Sequence, residues 1–187
     1  LIELDETEDK RRLGANSMLA VSLACARVAA EAQGKHLFVR LNELPQMQYE
    51  MTLPLPFVTL LQSSSPKQLA IQEFMIVPQF SSPKKNIEVA VKITNIFKKL
   101  LLKRYGEAAI TLGSKGGFIV SKIRKNTEAL DLITKSIKTA KYNGKVKIAL
   151  NCGASSYFNN SRYNIDGKKL LKEKLVYYYS DLVRKYP

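Results

Sequence analysis

The stretch Leu69-Ala-Ile-Gln-Glu-Phe-Met-Ile-Val-Pro78 is an apolar run of strand length, interrupted by one adjacent Gln72-Glu73 pair. Nearly continuous apolar segments of this length are typical of buried strands in parallel sheets. A Gln-Glu pair inside such a run is costly unless it has a use. Two readings are open: a strand end whose polar residues reach water or a neighbouring loop, or a barrel strand that delivers a carboxylate to a catalytic face.

Working outward, the residues around this strand alternate between short apolar runs and helical patterns. Upstream, Tyr49 to Leu61 carries Pro54 and Pro56, which break a helix and suit the start of a strand, and Gln62 to Lys67 reads as a loop. Downstream, Ser81-Ser-Pro-Lys-Lys85 opens a long helix in which Val89, Ile93, Ile96, Phe97, Leu100 and Leu101 repeat at helical spacing until Gly106. Its other face carries Lys84, Lys85, Lys92, Lys98, Lys99 and Lys103, which reads either as a solvated face or as a polyanion contact. Ile110 to Leu112 is a short strand, and a second helix after Asn126 uses Leu130, Ile133, Ile137 and Ala140. Val146, Ile148 and Leu150 form a strand ending at Asn151, in which Lys147 sits awkwardly for a central barrel position. A last helix uses Leu171, Leu175, Tyr178 and Leu182. Strands alternating with helices from about Leu53 onward predict a right-handed parallel α/β arrangement. Nearer the N-terminus, Ser17–Gln33 is rich in Ala, Val and Leu on most sides, and reads as a buried helix capped by Asn16 or Ser17 and ended by Gly34.

The composition bounds the partners. The chain has 187 residues, with 30 Lys and Arg against 16 Asp and Glu, for a net charge of +14. Five of the sixteen carboxylates lie between Leu1 and Asp9, so the remainder is more basic still. Such an excess favours polyanionic surfaces without naming one. Cys25 and Cys152 lie far apart in apolar segments and read as small core residues, with no disulfide framework or zinc spacing. His36, the single histidine, reads as a surface residue. The absence of a long apolar run predicts no membrane-spanning helix. A complete eight-stranded barrel needs about 250 residues, and the first residue is Leu1, so a fragment, a processed form or a sequence without its true ends is expected.

Leu1-Ile-Glu-Leu-Asp5, Leu13-Gly-Ala-Asn16, Leu53-Pro-Leu-Pro56, Gln72-Glu-Phe-Met-Ile76, Gly113-Ser-Lys-Gly-Gly-Phe118, Ile148-Ala-Leu-Asn151, Arg162-Tyr-Asn-Ile-Asp166 and Tyr178 to Pro187 follow one another in an order and spacing that resembles enolase. The resemblance covers nearly the whole chain but only the middle of an enolase. It implies an α/β fold: the end of an N-terminal α+β domain over residues 1–50, containing the helix at about 17–33, followed over 51–187 by the first half of a TIM-type barrel. It also implies dehydration of 2-phosphoglycerate, with two magnesium ions, a lysine base and acidic residues at strand ends. Gln72 and Glu73 match the family, and Glu73 falls on a glutamate used near the leaving hydroxyl. Lys115 stands where the family has its principal acid glutamate, and Asn151 where it has a magnesium-ligand aspartate. The substrate-closing loop, glycine-rich with Ser-His in the family, here reads Gln62-Ser-Ser-Ser-Pro-Lys-Gln68.

These departures lead to the expectation of a catalytically inactive enolase-like subunit with no catalytic residue, no cofactor and no metal, in which Glu73 pairs with Lys115. Such a subunit would act through its basic surface, with a protein partner over the open barrel edge and an acidic filament or RNA phosphate as further contacts, and no membrane. Its setting would be cytoplasmic, cytoskeletal or an organellar ribosome-like particle. The alternative is an enolase needing magnesium, or a binder of a phosphorylated metabolite, whose other parts lie outside this chain.

Overall fold

The computed structural model describes residues 1–44, 50 and 52–187. Tyr49, where the proline-containing apolar run begins, and residue 51, the expected domain boundary, lie outside the described residues. The chain divides into two compact units, Leu1–Thr52 and Leu53–Pro187.

The first unit is helical: α1 (Ile2–Asp5), α2 (Ala15–Ala32) and α3 (Leu37–Asn42). Asp5 organises its start. The buried carboxylate accepts from the Leu13 amide at 2.6 Å and from the amide (3.2 Å) and hydroxyl of Thr7. The Thr7 hydroxyl, and then the Leu13 amide, hold the Asp5 carboxyl below its usual range. The expectation of a buried helix is corrected here: α2 forms, but only Ala30 is buried. Leu19, Val21, Leu23 and Val28 are exposed, as is Cys25, so this cysteine is not a core residue. The reason lies in the apolar pattern, which runs round the helix without defining one side for a neighbour to cover. The N-cap is Gly14, with Asn16 and Ser17 inside the first turn. At the other end, the amides of Gly34 and Lys35 turn back to the carbonyls of Glu31 and Ala30.

The second unit holds β1 (Val58–Gln62), β2 (Glu73–Pro78), α4 (Pro83–Tyr105), β3 (Thr111–Leu112), β4 (Phe118–Ile119), α5 (Asn126–Thr139), β5 (Val146–Asn151), β6 (Phe158–Asn159), β7 (Arg162–Ile165), β8 (Lys168–Leu170) and α6 (Lys172–Lys185). Five strands form one sheet in the order β3-β4-β1-β2-β5. The uniformly parallel arrangement is corrected. β1 runs antiparallel to β2, β2 antiparallel to β5, and β3 antiparallel to β4; only β1 and β4 are parallel. The ten residues 63–72 between β1 and β2 contain no helix, and a parallel return needs a longer crossover. β5 is an edge strand, so Lys147 reaches solvent and is not buried among strands.

Leu60, Leu61, Phe74 and Ile76 from the sheet meet Val89, Ile93, Phe97 and Leu101 of α4 and Leu130, Ile133 and Ile137 of α5 in one core. Ser82 caps α4 by accepting from the Lys85 amide at 3.3 Å, Pro83 takes the first helical position, and Gly106 ends it. A second sheet, β6-β7-β8, is a pair of hairpins the sequence reading passed over. The turns Asn160-Ser161 and Asp166-Gly167 have positive φ at both positions, as two-residue hairpin turns require, and glycine takes that conformation at least cost.

Candidate active site at the mouth of the sheet

β2 begins at Glu73 and β5 ends at Asn151, and the two residues are paired across the strands. The Gln72 amide donates to the Asn151 carbonyl at 3.0 Å, which carries the pairing one residue further. The chain therefore places Gln72, Glu73 and Asn151 together at one end of the sheet. The half-buried Glu73 carboxylate accepts from Asn151 Nδ2 at 3.3 Å and from Thr59 Oγ1 of β1 at 3.4 Å. Both partners are neutral, so the carboxylate is oriented without being neutralised.

Lys115 lies in the turn between β3 and β4. Its amide donates to Gln62 Oε1 at 3.0 Å, and Gln62 Nε2 donates to Ser114 Oγ at 3.2 Å. Gln62 was read as loop but is the last residue of β1, and it fixes this turn. Gly117 has no room for a side chain: a Cβ there would stand 2.7 Å from Thr59 Cγ2 and 3.2 Å from the Gln62 nitrogen. The expected pairing of Glu73 with Lys115 is corrected. No ion pair forms between them, because β1 separates β2 from β4. Two strand spacings put roughly 10 Å of sheet between their backbones. The Lys115 side chain is exposed.

Sequence reasoning also missed the support beneath this mouth. Gln68 is buried and donates to the carbonyls of Val120 (2.7 Å) and Ile123 (3.4 Å) while accepting from the Ser64 amide (3.1 Å) and hydroxyl (2.7 Å). Asp166 accepts from the Asn126 amide (2.9 Å) and the Tyr178 hydroxyl (2.7 Å), joining α5, the second sheet and α6. Burial, then the Asp166 carboxylate, pushes the Tyr178 hydroxyl up. A glutamine closing a polar loop and an Asp-Gly turn were the signals available in the sequence.

A divalent magnesium ion takes about six oxygen ligands, chiefly carboxylates. Among the described residues no group of three or more His, Cys, Asp or Glu side chains could hold a metal. Glu73 is one carboxylate and Asn151 brings an uncharged amide, so these side chains do not make up such a site by themselves.

A family model described as the enolase C-terminal TIM barrel domain matches residues 50–187, and one described as the enolase N-terminal domain matches residues 1–41. The chain belongs to the enolase family. Its helical N-terminal unit and mixed sheet-and-helix unit correspond to part of that fold. Over its whole length the chain is 38% identical to the enolase of Methanocaldococcus jannaschii and covers 44% of that protein. It is likewise 38% identical to the enolase of Methanosarcina acetivorans (43% of it) and 34% identical to that of Sulfurisphaera tokodaii (44% of it). The chain thus spans less than half the length of these curated relatives.

These matches overturn the expectation of an inactive structural subunit, and with it the non-enzyme and no-cofactor readings. No helix among the described residues is long and apolar enough to cross a membrane.

Proposed function

We propose that this chain is part of a working enolase, phosphopyruvate hydratase, that dehydrates 2-phosphoglycerate to phosphoenolpyruvate in the cytoplasm. The observation that carries the reading is the whole-chain identity of 38% with an enolase. Residues 1–50 and 51–187 are its N-terminal-domain and barrel portions. Removing a proton beside a carboxylate creates a dianionic intermediate, and the departing hydroxyl then needs a proton. Glu73 is the residue we assign beside that hydroxyl. Thr59 and Asn151 position its carboxylate, and Gln72 anchors the strand end next to it. Lys115, on a turn pinned by Gln62, offers an exposed ammonium for the substrate's phosphate. Magnesium, where bound, supplies charge for the intermediate. Its carboxylate ligands, and the lysine base, would come from the length of an enolase that this chain does not span.

The test is phosphoenolpyruvate formation by the full natural protein with magnesium and 2-phosphoglycerate. Turnover lost on chelation is expected. Binding of 2-phosphoglycerate without turnover, or no response at all, overturns the proposal. Lys115→Ala is expected to raise KM more than it lowers kcat.

A further inference from the structure

The loop from residue 63 to residue 72 turns its polar groups inward. The Ser63 hydroxyl lies within hydrogen-bonding distance of the Ser65 carbonyl (2.7 Å) and the Leu69 carbonyl (2.8 Å). The amides of Gln68 and Leu69 return to the Ser65 carbonyl at 2.9 and 3.2 Å. The Ser63 amide donates to the Gln72 carbonyl at 2.8 Å and closes the loop at its base. At the centre stands the buried Gln68, whose Oε1 accepts from the Ser64 amide and hydroxyl while its Nε2 donates to the carbonyls of Val120 and Ile123. An amide side chain has two donor hydrogens and two acceptor sites, so Gln68 is fully engaged. Its orientation is fixed as well, because the Ser64 amide can only donate and the two carbonyls can only accept.

The segments that Gln68 joins are 52 and 55 residues apart in sequence, and each leads to a residue at the mouth of the sheet. Glu73 comes five residues after Gln68, and Lys115 comes five residues before Val120. The sheet itself ties these two sides only indirectly. β1 stands between β2 and β4, and it pairs with β4 at a single position, Leu61 opposite Phe118. Gln62 fixes the tip of the Lys115 turn. Gln68 fixes the stretch that leaves β4, where the Ile123 amide turns back to the Val120 carbonyl at 3.0 Å. None of the four hydrogen bonds of the Gln68 side chain goes to Glu73 or Lys115.

We propose that Gln68 is a positioning residue for the dehydration. It fastens the loop to the stretch after β4, and so sets the separation of the Glu73 carboxylate and the Lys115 turn before substrate arrives. The proposal rests on the reading of this chain as part of a working enolase. The polar groups of an exposed loop can be satisfied by water and need no buried side chain among them. A buried glutamine with four partners holds both segments in one arrangement, and its loss leaves the Ser64 amide without its acceptor. Displacing a reacting group by about 1 Å can cost about 100-fold in rate, even when the cause lies away from the chemistry.

The experiment compares the full natural protein with Gln68→Met, which keeps the volume and removes the hydrogen bonds. A second variant, Ser64→Ala, cuts one bond of the tie at an exposed residue and leaves the core untouched. Two quantities are read well below the melting temperature of each protein: amide exchange at Ser64 without substrate, and phosphoenolpyruvate formation with magnesium and 2-phosphoglycerate. The Ser64 amide should be protected in the natural protein and lose that protection in Gln68→Met. In Gln68→Met kcat should fall by roughly 10- to 100-fold while KM stays within about twofold, and Ser64→Ala should move kcat the same way by less. A lower melting temperature with kcat unchanged would assign Gln68 to stability alone and overturn the proposal. So would an unprotected Ser64 amide in the natural protein, or a rise in KM alone. Should Gln68→Met fail to fold, an unchanged kcat in Ser64→Ala overturns it. No turnover by the natural protein overturns the dehydration reading and this proposal with it, whereas turnover that both variants retain in full overturns this proposal alone.

Discussion

Helices α2 and α4 are both long and both supply apolar residues, yet they are used in opposite ways. α4 buries Val89, Ala90, Ile93, Phe97 and Leu101 on one side and keeps its lysines on the other. α2 is the more apolar in composition but buries only Ala30. What decides burial is the separation of faces. A helix with one apolar stripe docks against one neighbour, whereas one that is apolar all round needs neighbours on every side. Within the first unit, α2 has the six-residue α3 and short connecting segments for company.

The contrast can be broken most sharply by paired truncations in the natural protein, followed by urea unfolding. Phe97→Ala, at 0% exposure, should cost about 3–5 kcal/mol. Val28→Ala on α2, at 69% exposure, should stay within about 0.5 kcal/mol. A large loss at Val28 would mean that α2 is covered in the working protein and that the comparison fails. Asp166→Ala should come next in size. It strips the Asn126 amide and the Tyr178 hydroxyl of their acceptor, at about 1–3 kcal/mol for a buried donor left unpaired. Ser82→Ala should be smaller, about 1 kcal/mol, as the loss of the α4 cap.

The smallest effect sharpens the helix pairing by its pH dependence. Burial, then the Glu128 carboxylate, pushes the Tyr105 hydroxyl from 10.0 up to about 12. Below pH 10 the phenol is neutral in both folded and unfolded chains, and its stabilising contribution is complete. Above that the unfolded chain ionises first, so the contribution is lost as pH rises through about 12. Alkaline melts of Tyr105→Phe should lack that part of the decline.

Helices α4, α5 and α6 were legible because Val89, Ile93 and Phe97, Leu130, Ile133 and Ile137, and Leu175 and Leu182 repeat at the period their buried faces require. The strand holding Glu73 was legible in the same way, although the strand proper is Glu73–Pro78 and Leu69–Ile71 are buried ahead of it. Strand direction was not, because pairing is a long-range choice that an apolar run does not encode. The length of 63–72 held the signal and was passed over in favour of the alternating pattern. At the mouth, the positions of Gln72, Glu73 and Asn151 could be read, but the partner of Glu73 could not. That depended on which strands are neighbours, and β1 stands between Glu73 and Lys115. The functional reading erred by weighing Lys115 and Asn151 as losses against a similarity that runs the whole length of the chain.

The central claim is that Glu73 acts in catalysis by a working enolase. The most direct measurement compares phosphoenolpyruvate formation by the full natural protein and by Glu73→Gln, which keeps the shape of a side chain held by Thr59 and Asn151. The account predicts turnover in the natural protein and a kcat lower by about 10²–10⁴ in the variant, with folding intact. Equal turnover in the two proteins would contradict it.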